Sequence, residues 1–261
     1  METELDTSKN SMQNLSSIFE KLKEAKAKKA RIIHEIERTQ AHLEKEKQAH
    51  GEASEKGNPK KDSKTSSKKK KKWWDEYRSF ETSGGLRVVA GKSAKQNDEL
   101  YAKHLAVEDL FFHADIQGAP TTILKNGKNA ADSDLRETAQ FGACFSSAWR
   151  TGAAAVDVYA LEKSQVSKNS PNGGSAGKGA FFLSGERKWF KKTELKLKIG
   201  NLDDAPVILP FIHIKKLEKP VELMPGSFEK EEAATKLSAH LSCKKGEILA
   251  LLPNGGISLS I

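Results

Sequence analysis

His113 and Asp115 stand two residues apart at the end of an apolar run, and in a strand that spacing turns both side chains to one face. A carboxylate beside an imidazole can orient it for general-base work. The motif brings no serine, cysteine or third carboxylate that would serve as nucleophile or metal ligand, so a hydrogen-bonded structural pair is the stronger reading and no catalytic residue is expected. A second candidate is Lys168–Gly179, KNSPNGGSAGKG, since a glycine-rich turn with a lysine can present backbone N–H groups to an anion. A nucleotide P-loop needs glycine five residues before its Gly-Lys pair and Ser or Thr after it. Asn172 and Gly179 hold those places here. Nucleotide hydrolysis is therefore disfavoured, and Lys168 and Lys178 are left either to meet RNA phosphates or to decorate a plain connection between strands. Trp73, Trp74, Tyr77 and Phe80 recur at spacings that form one stripe on a short helix. Most of that stripe should anchor a core, with Arg78 beside it able to stack on a base or bind phosphate. Cys144 and Cys243 lack CxxC or Cys/His company, which supports neither a disulfide scaffold nor a zinc site, and no cofactor is expected. A reducing compartment suits them.

Charge sharpens the picture only when it is divided along the chain. Residues 1–55 hold ten Lys/Arg and eleven Asp/Glu, residues 56–72 hold nine Lys and one Asp, and residues 73–261 hold 25 against 23. The net +9 thus sits almost wholly in the tract that ends in Lys68, Lys69, Lys70, Lys71 and Lys72. Such a run is either a solubilising or targeting tail or, beside a binding domain, a source of nonspecific phosphate affinity; phosphate contact is the favoured reading. No apolar run approaches the roughly 20 residues of a membrane span, and the amino terminus lacks the order of a secretory signal. A soluble, cytoplasmic protein is expected.

The elements that must position these residues fall into four segments. Residues 1–10 read as a disordered tail. Residues 11–50 have neither Pro nor Gly and carry Leu15, Leu22, Ile36 and Leu43 at heptad spacing, broken by Lys26, Lys29 and Gln40. This is a helix with a partial coiled coil, lying either on its own body or on a helical protein partner. Residues 51–72 hold no apolar residue larger than Ala, so they read as a disordered basic linker. Residues 73–261 alternate short strands and helices, an α+β domain with a mixed sheet and packed helices. Strands are predicted over 86–91, 109–114, 121–124, 156–161, 180–184, 195–199, 207–214 and 248–251. Helices are predicted over 94–105, over 229–241, and from a cap at Asp132 or Ser133 to a stop near Gly152.

The run Trp73-Trp74-Asp75-Glu76-Tyr77-Arg78-Ser79-Phe80 is followed by Gly91-Lys92, Gln96-Asn97-Asp98-Glu99-Leu100 and His113-Ala114-Asp115 with Gly118-Ala119. Later come Glu137, Ser147-Ala148-Trp149, Gln165-Val166-Ser167-Lys168, Gly177-Lys178-Gly179, Met224-Pro225-Gly226 and Leu252-Pro253-Asn254-Gly255-Gly256. In order, over about residues 68–261, these resemble the NFACT-R domain, the RNA-binding module of the NFACT proteins of ribosome-associated quality control. The resemblance implies a non-catalytic RNA-binding adaptor that engages tRNA or large-subunit rRNA on stalled ribosomes. The expected contacts are Arg78, Lys92, Asn97, His113, Lys168, Lys178 and the lysine run. The alternative is a docking module that meets a separately encoded partner through residues 11–50. Where the family has Gly-Arg-Asp, this chain has Gly91-Lys92-Ser93, which keeps a cation but loses the planar fork of arginine. Full-length members begin with an NFACT-N domain tied to template-free tailing. About 40 helical residues precede the module here, so that activity is not carried over.

Overall fold

The computed structural model describes Met12 and residues 72–170 and 173–260. Apart from Met12, the tail over 1–10, the helix over 11–50 and the linker up to residue 71 with Lys68–Lys71 lie outside the described residues. The chain divides into two units, Met1–Lys68 and Lys69–Ile261, and the description concerns the second.

Short apolar runs separated by tight turns leave little room for crossovers, and every strand pairing among the described residues is antiparallel. The α+β class holds, with the sheet direction antiparallel throughout rather than mixed. Strands β1 (Arg78–Glu81) and β2 (Arg87–Ala90) form a hairpin. Helix α1 (Ala94–Glu99) follows, widened into a π-type turn over Leu100–His104. Next come β3 (Leu110–Ala114) and β4 (Thr122–Leu124), which pair with each other as expected. Helices α2 (Asp132–Cys144) and α3 (Ser147–Arg150) lead to β5 (Ala155–Glu162), the small pair β6 (Val166–Ser167) and β7 (Phe182–Leu183), and β8 (Lys188–Glu194). The first sheet has the order β1-β2-β4-β3-β5-β8. A second sheet is built from β9 (Leu197–Leu202), β10 (Ala205–Pro210), β11 (Glu218–Phe228) and β12 (Ile257–Ser260), in the order β10-β9-β11-β12. Helices α4 (Lys230–Leu241) and α5 (Lys245–Leu251) pack against it.

Alternation along the strands of the first sheet feeds two cores. Phe111, Val89, Ile123 and Tyr159 pack with Leu100 and Leu105 on the α1 face, while Phe112, Val88, Ala90 and Val158 pack with α2 on the other. Helix α2 lies among apolar residues of both sheets, and every one of its residues from Asp134 on except Arg136 is buried. Its buried polar residues Asp134, Glu137, Thr138 and Gln140 are each hydrogen-bonded, which lets a helix of this composition lie there.

The structure corrects several elements. The aromatic stripe is split, because only Trp73–Glu76 is helical, in a single 3-10 turn, and Phe80 enters β1, where hairpin pairing outweighs a one-turn helix. Phe80 packs on Phe141 in the core, ring centroids 4.7 Å apart. The predicted single helix over 132–152 breaks at Phe145 because the Ser146 hydroxyl accepts the Ala148 N–H at 3.2 Å and starts α3. Ala131, not Asp132 or Ser133, stands at the N-cap of α2. Residues 245–251 are helical rather than a strand: Glu247 reaches back to the Lys244 N–H in a capping box, and Ile248 and Leu252, four apart, are both buried. Strand β11 escapes sequence reading because Pro220 and Pro225 interrupt it. It survives because its register with both neighbours shifts at those places.

Candidate nucleic-acid interface

A cleft of about 550 Å³ opens at one end of the first sheet. It is lined where β1 begins (Arg78), where β2 ends (Gly91 to Ala94), before β4 (Gln117 to Pro120), and on β3 and β5 (His113, Tyr159). The glycine loop supplies Lys178 to Phe181, and Asn254 enters from between α5 and β12. That volume falls within the range of sites for small ligands, about 300–1,000 Å³.

The frame is rigid for a specific reason. The Asn97 side-chain carbonyl accepts the Thr121 N–H at 3.1 Å, and the Gly91 N–H donates to the Thr121 carbonyl at 3.0 Å. A Cβ at position 91 would lie 2.2 Å from that Asn97 oxygen, so only glycine lets β2, α1 and β4 lock together. Asn97 is 8% exposed. Its oxygen is spent on the lock, while the residue itself lines the cleft.

Arg78 forms one end of the cleft. Its Nη1 donates to the Gly91 carbonyl at 3.2 Å and its guanidinium lies 4.6 Å from the Phe145 ring. Its Nε is buried without a partner among the described residues. Burial pushes its pKa down to about 10. Lys92 is exposed, and its pKa is lowered by partial burial and then by the Arg78 charge, with Glu76 pulling the other way. Lys178 is exposed on the loop. No Asp or Glu lines the cleft, and Arg78, Lys92 and Lys178 form no ion pair among the described residues. The other basic residues that face carboxylates are paired with them, as in Arg87–Glu81, Lys125–Asp109 and Lys196–Glu222.

Lys168 behaves differently from Lys178. Its Nζ reaches Asp98 at 2.5 Å and the carbonyls of Ala180 and Gly177 at 2.7 and 3.2 Å, above the Phe181 ring at 4.5 Å. Asp98 also accepts the Gly179 N–H at 3.1 and 3.2 Å. Gly179 has φ +76°, and a Cβ there would sit 2.8 Å from that of Ala94. Lys168 and Asp98 thus clasp the glycine loop onto α1. Lys168, expected as a phosphate contact, thus holds the loop from outside the cleft lining and carries Lys178 to the cleft.

His113 lines the cleft but is not paired with Asp115. Strand β3 ends at Ala114, and Asp115 turns outward with its N–H on the Asp157 carbonyl at 2.8 Å. The Tyr159 hydroxyl lies 3.3 Å from His113 Nδ1 instead. Burial lowers the pKa of His113, opposed by the Ala114 and Ala119 backbone and by the Asp115 charge. Lys72 is exposed beside the Trp74 ring, 5.2 Å away, and its N–H donates to Asp75 Oδ2 at 2.8 Å. Trp73 stacks on His104 with centroids 3.8 Å apart. None of these lines the cleft.

Lys230 escapes the sequence reading. Its Nζ donates to Asn254 Oδ1 at 3.2 Å, and its pKa is lowered by burial and then by Arg78. The only available signal was the Asn254-Gly255-Gly256 turn, which gives no hint of a partner 24 residues earlier. Among the described residues, no His, Cys, Asp and Glu cluster is placed to hold a metal ion, and no helix is long and apolar enough to cross a membrane.

Residues 76–185 match the family model of the NFACT protein RNA binding domain. Over 72% of its length the chain is 33% identical to the archaeal Rqc2 homolog aRqcH of Methanocaldococcus jannaschii, of which it covers 29%. Over 48% of its length it is 28% identical to the ribosome quality control complex subunit NEMF of Homo sapiens, of which it covers 12%. The chain therefore spans less than a third of these curated relatives. The C-terminal part of the fibronectin/fibrinogen-binding protein of Streptococcus suis matches over 45% of each chain with 24% identity and a TM-score of 0.39, too loose a likeness to carry argument. Every cleft residue except Asn254 falls inside residues 76–185, the segment that matches the NFACT protein RNA binding domain.

Proposed function

We propose that this chain is a non-catalytic RNA-binding adaptor of ribosome-associated quality control, which takes tRNA or large-subunit rRNA on stalled ribosomes in the cytoplasm. The observation that carries the reading is the cleft itself. Three cations line it, a fourth donates to Asn254, and none of the four forms an ion pair with a carboxylate among the described residues. Elsewhere the same domain is close to electrical balance. Cations held close together and partly out of water raise each other's cost, and an anion relieves that cost on arrival. Phosphates of RNA are such anions, and the lysine tract just before residue 73 adds sequence-independent attraction. The names of the relatives, which speak of ribosome quality control, supply the setting.

The test has two arms. Crosslinking in cells with sequencing of the bound fragments should return tRNA or large-subunit rRNA. In vitro, the double variant Lys92→Ser, Lys178→Ser should bind RNA about ten-fold more weakly at moderate salt and lower the salt slope by about 1.4, since each single-strand phosphate contact contributes about 0.7. Recovery of no RNA from cells, together with an unchanged slope, would exclude this reading.

A further inference from the structure

Three side chains share one cross-strand row on the α1 face of the first sheet. His113 faces Tyr159 across the β3–β5 ladder, and Tyr159 faces Trp189 across β5–β8. Adjacent strands lie about 4.8 Å apart, so the row runs roughly 10 Å. It begins inside the cleft, which His113 and Tyr159 line, and ends on β8 at the edge of the sheet.

Trp189 is 37% exposed there, with Lys191 3.7 Å from its ring. Asp157 holds that lysine in place, accepting from its Nζ at 2.9 Å and from the Lys192 N–H at 2.8 Å. Arg187 lies 4.7 Å from the Tyr159 ring and 5.7 Å from that of Trp189. It forms no ion pair among the described residues. Lysines on an edge strand commonly serve to prevent pairing with another sheet. That accounts for Lys188, Lys191 and Lys192. It does not account for a guanidinium held by two aromatic rings without an ion pair, or for a row in register with a cationic cleft.

We propose that RNA leaves the cleft along this row and that Trp189 stacks an unpaired base of a single strand in place of the Lys191 ammonium, which is well exposed and moves to a phosphate, with Arg187 on the adjoining phosphate. The inference rests on the reading that the chain binds RNA. An indole face accepts any base, which makes the contact tolerant of sequence. Bases inside a duplex are already stacked and cannot reach it, so the contact selects single strands over helices.

Fluorescence anisotropy on the full chain, with a labelled oligouridine and a labelled RNA duplex, tests this. Trp189→Ala should weaken oligouridine binding about 5- to 100-fold, the range for loss of one stacked base, and leave duplex binding unchanged. Trp189→Phe should keep most of the affinity, which separates loss of stacking from misfolding. The salt slope should stay constant in Trp189→Ala and drop by about 0.7 in Arg187→Ala. The proposal is overturned if Trp189→Ala binds oligouridine as tightly as the parent, or loses strand and duplex equally. Wild-type protein that binds neither RNA would instead remove the underlying reading.

Discussion

The two ends of β1 solve opposite problems with similar chemistry. At its start Arg78 is largely buried, keeps an unpartnered Nε and meets no carboxylate. Past its other end, Glu137 is 1% exposed yet accepts from both the N–H and the hydroxyl of Ser83, the first at 2.9 Å. Asp134 accepts the Gly84 N–H at 2.8 Å. His213, also buried, lies 2.9 Å by Nε2 from the Glu81 carbonyl and accepts the Lys215 N–H at Nδ1, 3.0 Å away. That assigns the hydrogen to Nε2. Every donor at this end has an acceptor, so the cluster ties the first sheet to α2 and to the segment after β10. A polar group buried and satisfied holds a fold together, whereas one buried and unsatisfied costs free energy until something binds it.

Two substitutions press on that contrast, the larger effect first. Glu137→Ala strips the two half-buried Ser83 donors of their buried acceptor and should destabilise the domain by about 3 kcal/mol, in the lower half of the roughly 1–3 kcal/mol expected for each donor left unpaired. For a body of this size that corresponds to a melting point lower by about 6–12 °C, with RNA affinity at low temperature unchanged. A melting curve that matches the parent would mean that the cluster is not what joins the layers. Arg78→Met keeps the aliphatic stem and removes the charge. RNA binding should weaken about 10- to 100-fold, as expected where charge-assisted bonds are lost, while the melting point stays within about 2 °C of the parent or rises. A large drop in stability with RNA affinity intact would make Arg78 another structural residue.

The same contrast explains what could be read from the sequence. Local signals carried the strands of 86–124, because apolar alternation and the Gly118–Pro120 turn are short-range facts. Arg78, Lys92, His113 and Lys178 could be named as candidates from residue type and motif, and the fold brings them to one cleft. What failed depended on partners distant in sequence. Lys168 and Lys178 are alike in composition. Only Asp98, 70 residues earlier and next to Asn97, commits the first to structure. The His113–Asp115 pair dissolved because β3 ends one residue before Asp115 and Tyr159, 46 residues on, takes the imidazole. Strand β8 was missed because KWFKKTE is mostly exposed, as edge strands are. Missing it hid Trp189 as well.

The smallest effect concerns protons. His113 has its pKa lowered from 6.5 chiefly by burial. Between the lower folded value and 6.5 the unfolded chain therefore binds more protons than the folded one, and stability rises with pH. The contribution is complete above 6.5 and is lost as pH falls through the folded value. His104, also lowered by burial and by Lys125 and Lys103, adds a slope of the same sign from outside the cleft. RNA separates the two. A phosphate beside His113 favours the imidazolium, so RNA should bind somewhat more tightly as pH falls below 6.5 and should flatten the part of the stability slope that belongs to His113. His113→Gln should abolish that RNA-linked change, whereas His104→Gln should lower the slope with and without RNA by the same amount. Melting curves from pH 5 to 8 with and without oligouridine read both variants. An RNA-linked slope that survives His113→Gln would place the responsive proton outside the cleft, and with it part of the binding surface.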